Sequence, residues 1–219
     1  MNLFPLWNSL RIAACASVLI FFIGVFLAYF IRKCPKVIKG ILDVFLMLPL
    51  VLPPTVVGYI LLLIFGKSQP IGAFLASIGL TFALDWKGGV IASTIVAFPL
   101  MYRATRASFE AFDENLAYAG KTLGLSNHYV FWRIRIPACK SGIIAGAVLA
   151  FARALGEYGA TSMLISKIEN KTATISTTVA SIWYDDPTHA WIWILINFGI
   201  SAVILVLVNL LETKKGATK

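Results

Sequence analysis

Charged residues are scarce in this sequence. Only 13% of its 219 residues are charged, and 59% are hydrophobic, whereas an ordinary soluble domain carries about 25% charged residues. The mean hydropathy is +0.84. A chain of this composition in water would expose far more apolar surface than it could bury. The composition therefore predicts an integral membrane protein and excludes an ordinary soluble domain.

The sequence also lacks the residues of a catalytic or metal site. Its three cysteines form no CxxC pair, which excludes a disulfide framework and a zinc site of that type. Its two histidines, His128 and His189, fall on opposite sides of the membrane in the orientation derived below. No GxSxG or HExxH motif occurs, and Asp185-Asp186 beside a proline is predicted to form a solvated turn. We therefore expect no catalytic site and no metal site in this chain.

Two triplets, at 120–122 and 66–68, resemble the end of a nucleotide-binding P-loop. That motif, G-x-x-x-x-G-K-[ST], needs another glycine five residues before the second one, so that backbone N–H groups can wrap the phosphates. Asn115 and Leu61 stand at those positions. The chain is therefore predicted not to bind or hydrolyse ATP itself.

Long apolar runs without apolar/polar alternation predict helices rather than a barrel. A span needs about 20 apolar residues. We predict an all-α integral membrane protein, a single domain over residues 1–219, with about five transmembrane helices at 12–31, 41–65, 88–108, 141–166 and 191–211. The first run has no cleavage site after it, so we interpret it as an uncleaved span. The apolar segment 70–84 is too short and suits a re-entrant or surface helix.

Basic residues are distributed unequally between the two sides of these spans. Thirteen lysines and arginines lie on one side, in the connections after spans one and three and in the C-terminal tail. Five lie on the opposite side. Because basic residues accumulate on the cytoplasmic side, we predict an N-terminus outside and a C-terminus in the cytoplasm. The net charge of +9 is then explained by topology, so the expected surroundings are membrane lipid and no nucleic acid.

A polar stretch between spans three and four is predicted to form a short helical hairpin outside the membrane, within a loop of about 110–137. Asp113 can cap a helix that begins at Glu114, and Gly124 suits the position that ends it. Ser126 can cap a second segment, and Pro137 leads into span four.

The first arm of this hairpin carries an apolar face of Leu116, Ala119, Gly120 and Leu123. Its small residues, which include Ala117, are predicted to be exposed where another surface can approach closely. The alternative is a solvated loop with no partner.

This stretch resembles the EAA loop of permease subunits of ABC importers, whose pattern is E-A-A, three residues, G, nine residues, then I-x-L-P. Ala119 and Gly120 stand where the family has two alanines, Gly124 is the loop glycine, and residues 134–137 match the ending. At the position of the glutamate this sequence has Tyr118 in the strict pattern, or Ala117 in the variant with one extra residue. Neither residue is a carboxylate. We therefore expect any salt bridge that this glutamate makes in relatives to be absent here.

The resemblance extends beyond the loop. Leu48–Gly72, Leu80–Asp113 and Ala150–Thr161 are similar to the molybdate permease subunit. Sulfate, thiosulfate and tungstate permeases are close relatives, so the choice of anion stays open. An ATPase-independent anion transporter is a less favoured alternative, because the chain shows no convincing internal repeat.

The resemblance implies a type I importer fold and an assembly in the cell membrane of a prokaryote. Two permease copies would join two ABC ATPase subunits, which hold ATP and Mg²⁺, and an extracytoplasmic molybdate-binding protein. This chain would need no cofactor. Its hairpin would dock in a cleft of the ATPase through the candidate coupling residues Ala117, Ala119, Gly120, Leu123, Gly124 and Pro137.

Two groups inside the predicted spans are candidates for the anion route. Arg153 and Glu157 are four residues apart on one helix face and can pair. Ionisable groups at this depth are costly unless paired, so they serve either as a structural ion pair or as pathway lining. Pro49, Pro53 and Pro54 break span two, and Thr55 could supply polar contacts there, so this segment is either a kink against neighbouring helices or a binding site.

Span four also contains a GxxxG motif, Gly142 and Gly146. Such glycines let two helices approach closely. The motif predicts either a seam between two permease copies or a helix contact within one chain.

Overall fold

The computed structural model describes residues 2–183 and 187–216, and all regular structure within them is helical. Asp185 and Asp186 lie outside the described residues. The helices in chain order are α1 (Phe4–Arg32), α2 (Lys36–Val51), α3 (Pro54–Phe65), α4 (Pro70–Ser77), α5 (Trp86–Glu110), α6 (Glu114–Thr122), α7 (Asn127–Tyr129), a π-helical segment (Val130–Arg135), α8 (Ile136–Ala138), α9 (Lys140–Leu155), α10 (Gly159–Ile165), α11 (Ile175–Ile182) and α12 (Pro187–Gly216).

The long helices contain the predicted spans at 12–31, 88–108 and 191–211 inside α1, α5 and α12. Among the described residues, α1 alone is long and apolar enough to cross a membrane as a single helix. Counting each bent helix pair as one span raises this number to three at most. The total of five spans stays a prediction.

Two predicted spans are broken rather than continuous. In the run 41–65, α2 ends at Val51 and α3 begins at Pro54, and the two helices meet at a bend of 108°. Proline lacks the N–H that continues a helix, and Leu52 before Pro53 has the extended conformation that a following proline favours. In the run 141–166, the helix stops at Leu155 and resumes only at Gly159.

The centre of the bundle is α5, which packs against both α1 and α9, and these two helices also pack against each other. Small residues make these contacts close. A Cβ on Gly24 of α1 would lie 2.7 Å from the Met101 side chain of α5, and one on Gly142 of α9 would lie 2.5 Å from Ser108. Gly146 also faces α5. The GxxxG motif therefore serves a helix contact within the chain.

At the end of the bundle where α1 begins, the chain is tied to the segment before α11. Asn8 Nδ2 donates a hydrogen bond to the Ala173 carbonyl at 3.0 Å, and the Ile175 N–H donates to Ser9 Oγ at 2.9 Å. Of the apolar segment 70–84, α4 is the only helical part, and it buries only Gly72.

Candidate functional site

The two helix breaks lie against each other. A Cβ on Gly58 of α3 would lie 2.6 Å from the Ala160 Cα of α10, and one on Gly159 would lie 2.9 Å from the Pro54 Cβ. Real Cβ atoms do not approach this closely, so only glycine allows the backbones of α3 and α10 to touch. The junction of the two breaks therefore depends on these two positions.

Glu157 lies in the second break and is 3% exposed. Its Oε1 accepts a hydrogen bond from the Ala160 N–H at 2.7 Å, which supports the start of α10. Its Oε2 lies 2.6 Å from Arg153 Nη1, an ion pair by distance. The predicted pairing of Arg153 and Glu157 is confirmed, as expected for a buried carboxylate.

The other candidate pathway residues lie at the first break. The Thr55 backbone nitrogen and the Pro54 side chain both lie within van der Waals reach of Gly159, two residues after Glu157. Pro53 and Thr55 are exposed and Pro54 is half-buried. The fold thus brings the residues 53–55 close to the segment that carries the ion pair, and their role in an anion route stays a prediction.

Both predicted caps of the hairpin are present. The Asn115 N–H donates to Asp113 Oδ1 at 2.9 Å, so α6 begins at the residue after Asp113. The Tyr129 N–H donates to Ser126 Oγ at 3.2 Å and starts the second arm. These contacts involve residues two or three positions apart, which is why the sequence alone predicts them.

Gly124 ends α6 in the left-handed conformation, with a φ of +77°. The Leu125 N–H donates to the Gly120 carbonyl at 3.1 Å, and the Gly124 N–H donates to the Lys121 carbonyl at 2.9 Å. These two bonds define a Schellman motif, in which glycine avoids the steric cost of a Cβ. The role predicted for Gly124 as the helix stop is confirmed.

The inner face of α6 differs from the expected one. Ala117 is 3% exposed and Gly120 is buried. A Cβ on Gly120 would lie 3.0 Å from Ile134 and 3.2 Å from Val130 of the second arm. The expectation that Ala117 and Gly120 are open to another surface is therefore wrong, because both are buried and the second arm of the same hairpin covers Gly120.

Large apolar side chains lie on the outside of the hairpin instead. Leu116, Tyr118 and Leu123 are 50%, 60% and 79% exposed, and Ala119 is exposed between them. We call Leu116, Tyr118, Ala119 and Leu123 the hairpin surface. Such a patch on a polar segment is typical of a surface that contacts a partner.

The carboxylate of Glu114, the first residue of α6, accepts hydrogen bonds from two arginines. Arg135 of the second arm donates to both carboxylate oxygens at 2.8 Å, and Arg32 at the end of α1 donates to Oε1. The hydrogen bonds from Arg135 lower the pKa of Glu114 to about 2, with a further lowering by Arg32 and an opposing effect of burial. The same contact raises the pKa of Arg135.

The ion pairs of Glu114 are the feature of the hairpin that sequence reasoning missed. No carboxylate stands at 117 or 118, and Glu114, one helical turn earlier, pairs with Arg32 and Arg135. Arg32 is 82 residues away in sequence. The available signals were an arginine at the end of a span and a glutamate at a helix start, and neither identifies the other.

A second ionic network joins α2 to α5. Arg106 pairs with Asp43 of α2 and contacts Glu110 at 3.0 Å. Glu110 also pairs with Lys39 of α2, and the Tyr102 hydroxyl donates to Asp43 at 2.6 Å. A cavity of about 310 Å³ opens beside these groups. Both networks lie where α1 and α5 end and α2 begins.

Solved structures of transporters share the fold of this chain. A bacterial ABC transporter involved in the import of the acidic polysaccharide alginate matches 99% of this chain and 80% of its own with a TM-score of 0.77, at 16% identity. The MetNI methionine ABC transporter matches 98% and 95% with a TM-score of 0.73, at 11% identity. At these identities the likeness establishes the fold, which is that of type I ABC importer permeases.

The sequence comparison identifies the family. Residues 20–215 match the family of binding-protein-dependent transport system inner membrane components, and the chain belongs to this family. It is 44% identical over 176 residues to the molybdenum transport system permease protein ModB of Escherichia coli K12, covering 78% of this chain and 77% of that protein. It is 35% identical over 211 residues to the putative molybdenum transport system permease protein YvgM of Bacillus subtilis, covering 95% and 93%.

Proposed function

We propose that the chain is the transmembrane permease subunit of an ABC importer for molybdate. The observation that carries this proposal is the 44% identity with the E. coli molybdenum permease over 78% of the chain. The Bacillus subtilis relative, a putative molybdenum transport permease, extends the similarity to 95% of the chain. Tungstate, whose chemistry is close to that of molybdate, is the nearest competing substrate.

The importer would contain two copies of this chain, two ATPase subunits and an external binding protein. Membership of a family of binding-protein-dependent transport components supports a binding protein as partner. A solved neighbour is an alginate transporter in complex with its substrate-bound periplasmic protein. ATP and Mg²⁺ would be held by the ATPase subunits, and this chain would form the anion pathway in a prokaryotic cell membrane.

The hairpin surface would dock in a cleft of the ATPase subunit. Its two leucines and its tyrosine are exposed to solvent within a polar segment, and a partner could cover this apolar area. Gly124 and Pro137 would act through shape, since one ends the first arm and the other lies where the second arm turns towards α9. Ala117 and Gly120 would act from inside, by holding the two arms together.

The anion would pass near the junction of the two helix breaks. Arg153 is partly accessible, and its charge is balanced by the buried Glu157. An unpaired arginine at this depth would hold a dianion too tightly for release, whereas a paired one attracts it weakly. This balance suits conduction, which requires binding that is favourable but reversible.

The test is uptake of labelled molybdate by the complex reconstituted in vesicles with its ATPase and binding protein. Uptake should require ATP and the binding protein, and excess tungstate should compete more strongly than excess sulfate. Equal competition by sulfate would contradict the assignment of molybdate. Uptake that continues without the ATPase would contradict the importer class.

A further inference from the structure

Glu114 lies where three parts of the molecule meet. It begins the first arm of the hairpin, Arg135 belongs to the second arm, and Arg32 is the last residue of α1. We propose that these three residues form a clamp that makes the hairpin and the end of α1 move as one rigid body during transport. The proposal rests on the proposed function and names three positioning residues for it.

The geometry of the clamp fixes an orientation as well as a distance. The Arg135 guanidinium donates to both oxygens of Glu114 at 2.8 Å, a bidentate pairing that holds the two planes together. Arg32 binds the same carboxylate from α1. Two positive charges thus share one negative charge, and the loss of Glu114 would leave two guanidinium groups in mutual repulsion.

Aromatic rings enclose the clamp on the bundle side. The Arg135 guanidinium lies 4.3 Å from the centre of the Phe112 ring, and its side chain is only 6% exposed. The Tyr29 ring of α1 lies 4.5 Å from the Phe131 ring of the second arm and 6.0 Å from Phe109 of α5. An exposed ion pair would stabilise little, but this pairing is backed by packed rings that join the hairpin to α1.

The attachment of α2 is different. No residue of α2 is buried, and it is joined to α5 by the ion pairs of Lys39 and Asp43 beside the open cavity. A displacement of the hairpin would reach α1 through the pairing of Glu114 with Arg32 and through the contact of the Tyr29 ring with the buried Phe131. Rigid-body motion of packed elements is the usual way in which such displacements reach a distant site.

The first experiment measures coupling in the complete reconstituted complex. Glu114→Gln should raise the number of ATP molecules hydrolysed per molybdate imported by about 5-fold or more, the lower end of ordinary coupling effects. Glu114→Asp keeps the charge and should restore part of the coupling. Glu169→Gln, a matched change at an exposed glutamate outside the clamp, should leave the ratio unchanged.

The second experiment replaces the ion pair by a covalent link. The double variant Arg32→Cys, Glu114→Cys, with the three native cysteines changed to serine, should hydrolyse ATP with poor coupling. A bifunctional thiol reagent with a short flexible spacer should then restore coupling, because it joins α1 to the hairpin again. Gel mobility distinguishes links within one chain from links between copies.

The outcomes separate the two proposals. Normal coupling in Glu114→Gln, or loss of transport on cross-linking of α1 to the hairpin, would overturn the clamp and leave the importer function intact. A wild-type complex without ATPase stimulation by the loaded binding protein would overturn the importer function, and the clamp's role with it. Complex assembly, measured by size-exclusion chromatography, shows that each variant is compared at equal amounts of intact complex.

Discussion

At the scale of single residues, the broken helices approach each other only because two positions lack a Cβ. Gly58 and Gly159 face backbone or ring atoms across the junction of α3 and α10. Gly40 in α2, by contrast, has nothing within 4 Å of its Cβ position. The same residue type is therefore essential for packing at one place and replaceable at another.

Gly58→Ala should destabilise the protein by about 1–3 kcal/mol, the usual cost of adding a methyl group to a filled contact. Gly40→Ala is the matched control, and it should be neutral or stabilising by about 0.5–1 kcal/mol because alanine favours the helix. Thermal unfolding of the detergent-solubilised protein provides the comparison. Equal melting temperatures for the two variants would contradict the close contact at Gly58.

The Glu114 clamp should make stability depend on pH in the acidic range. The pKa of Glu114 is lowered from 4.5 to about 2 in the folded protein. Because the folded-state pKa is the lower one, the stabilisation of the folded protein by ionised Glu114 is complete above pH 4.5. It is lost as the pH falls towards 2. Glu114→Gln should therefore lower the melting temperature at pH 7, with the difference from wild type shrinking below pH 4.5. A difference that is constant with pH would exclude this titration.

At the scale of elements, the hairpin combines features that were predictable with one that was not. Its caps and its glycine stop are local, so Asp113, Gly124 and Ser126 were assigned from the sequence. The inward face of α6 was not, because it is set by Val130 and Ile134 of the second arm. An amphipathic pattern indicates that a face will be covered, but it does not identify the element that covers it.

Replacement of Gly124 should separate the shape of the hairpin from its chemistry. A β-branched residue is strongly disfavoured at a φ of +77°, so Gly124→Val should abolish stimulation of the ATPase by the loaded binding protein. Asparagine tolerates this conformation, and Gly124→Asn should retain most of the stimulation. Similar activities of the two variants would show that the left-handed stop is not required.

At the scale of the whole molecule, the prolines predicted a break in the run 41–65 but not its angle. The bend of 108° brings α3 back against α10. Hydropathy depends on composition over a window and contains no information on direction, so the run was interpreted as one span with a kink. In this bent form Gly58 lies against Ala160, which is about a hundred residues away in sequence.

The proposed orientation predicts the accessibility of the two ends of the bundle. In a background without native cysteines, Asn2→Cys should react with a membrane-impermeant thiol reagent in intact cells. Asn127→Cys, on the hairpin, should react only after the membrane is permeabilised. Both positions are exposed in the structure, and labelling of Asn127→Cys after permeabilisation shows that its protection in intact cells came from the membrane and not from a bound ATPase. The reverse pattern would invert the topology.

The sequence by itself determined the membrane location, the all-helical class, the position and caps of the hairpin and the pairing of Arg153 with Glu157. These properties depend on composition or on residues within about one helical turn of each other. Only the tertiary structure decided the bend between α2 and α3, the buried face of α6 and the clamp of Arg32, Glu114 and Arg135. Each of these requires packing between segments far apart in the chain, which local patterns do not encode.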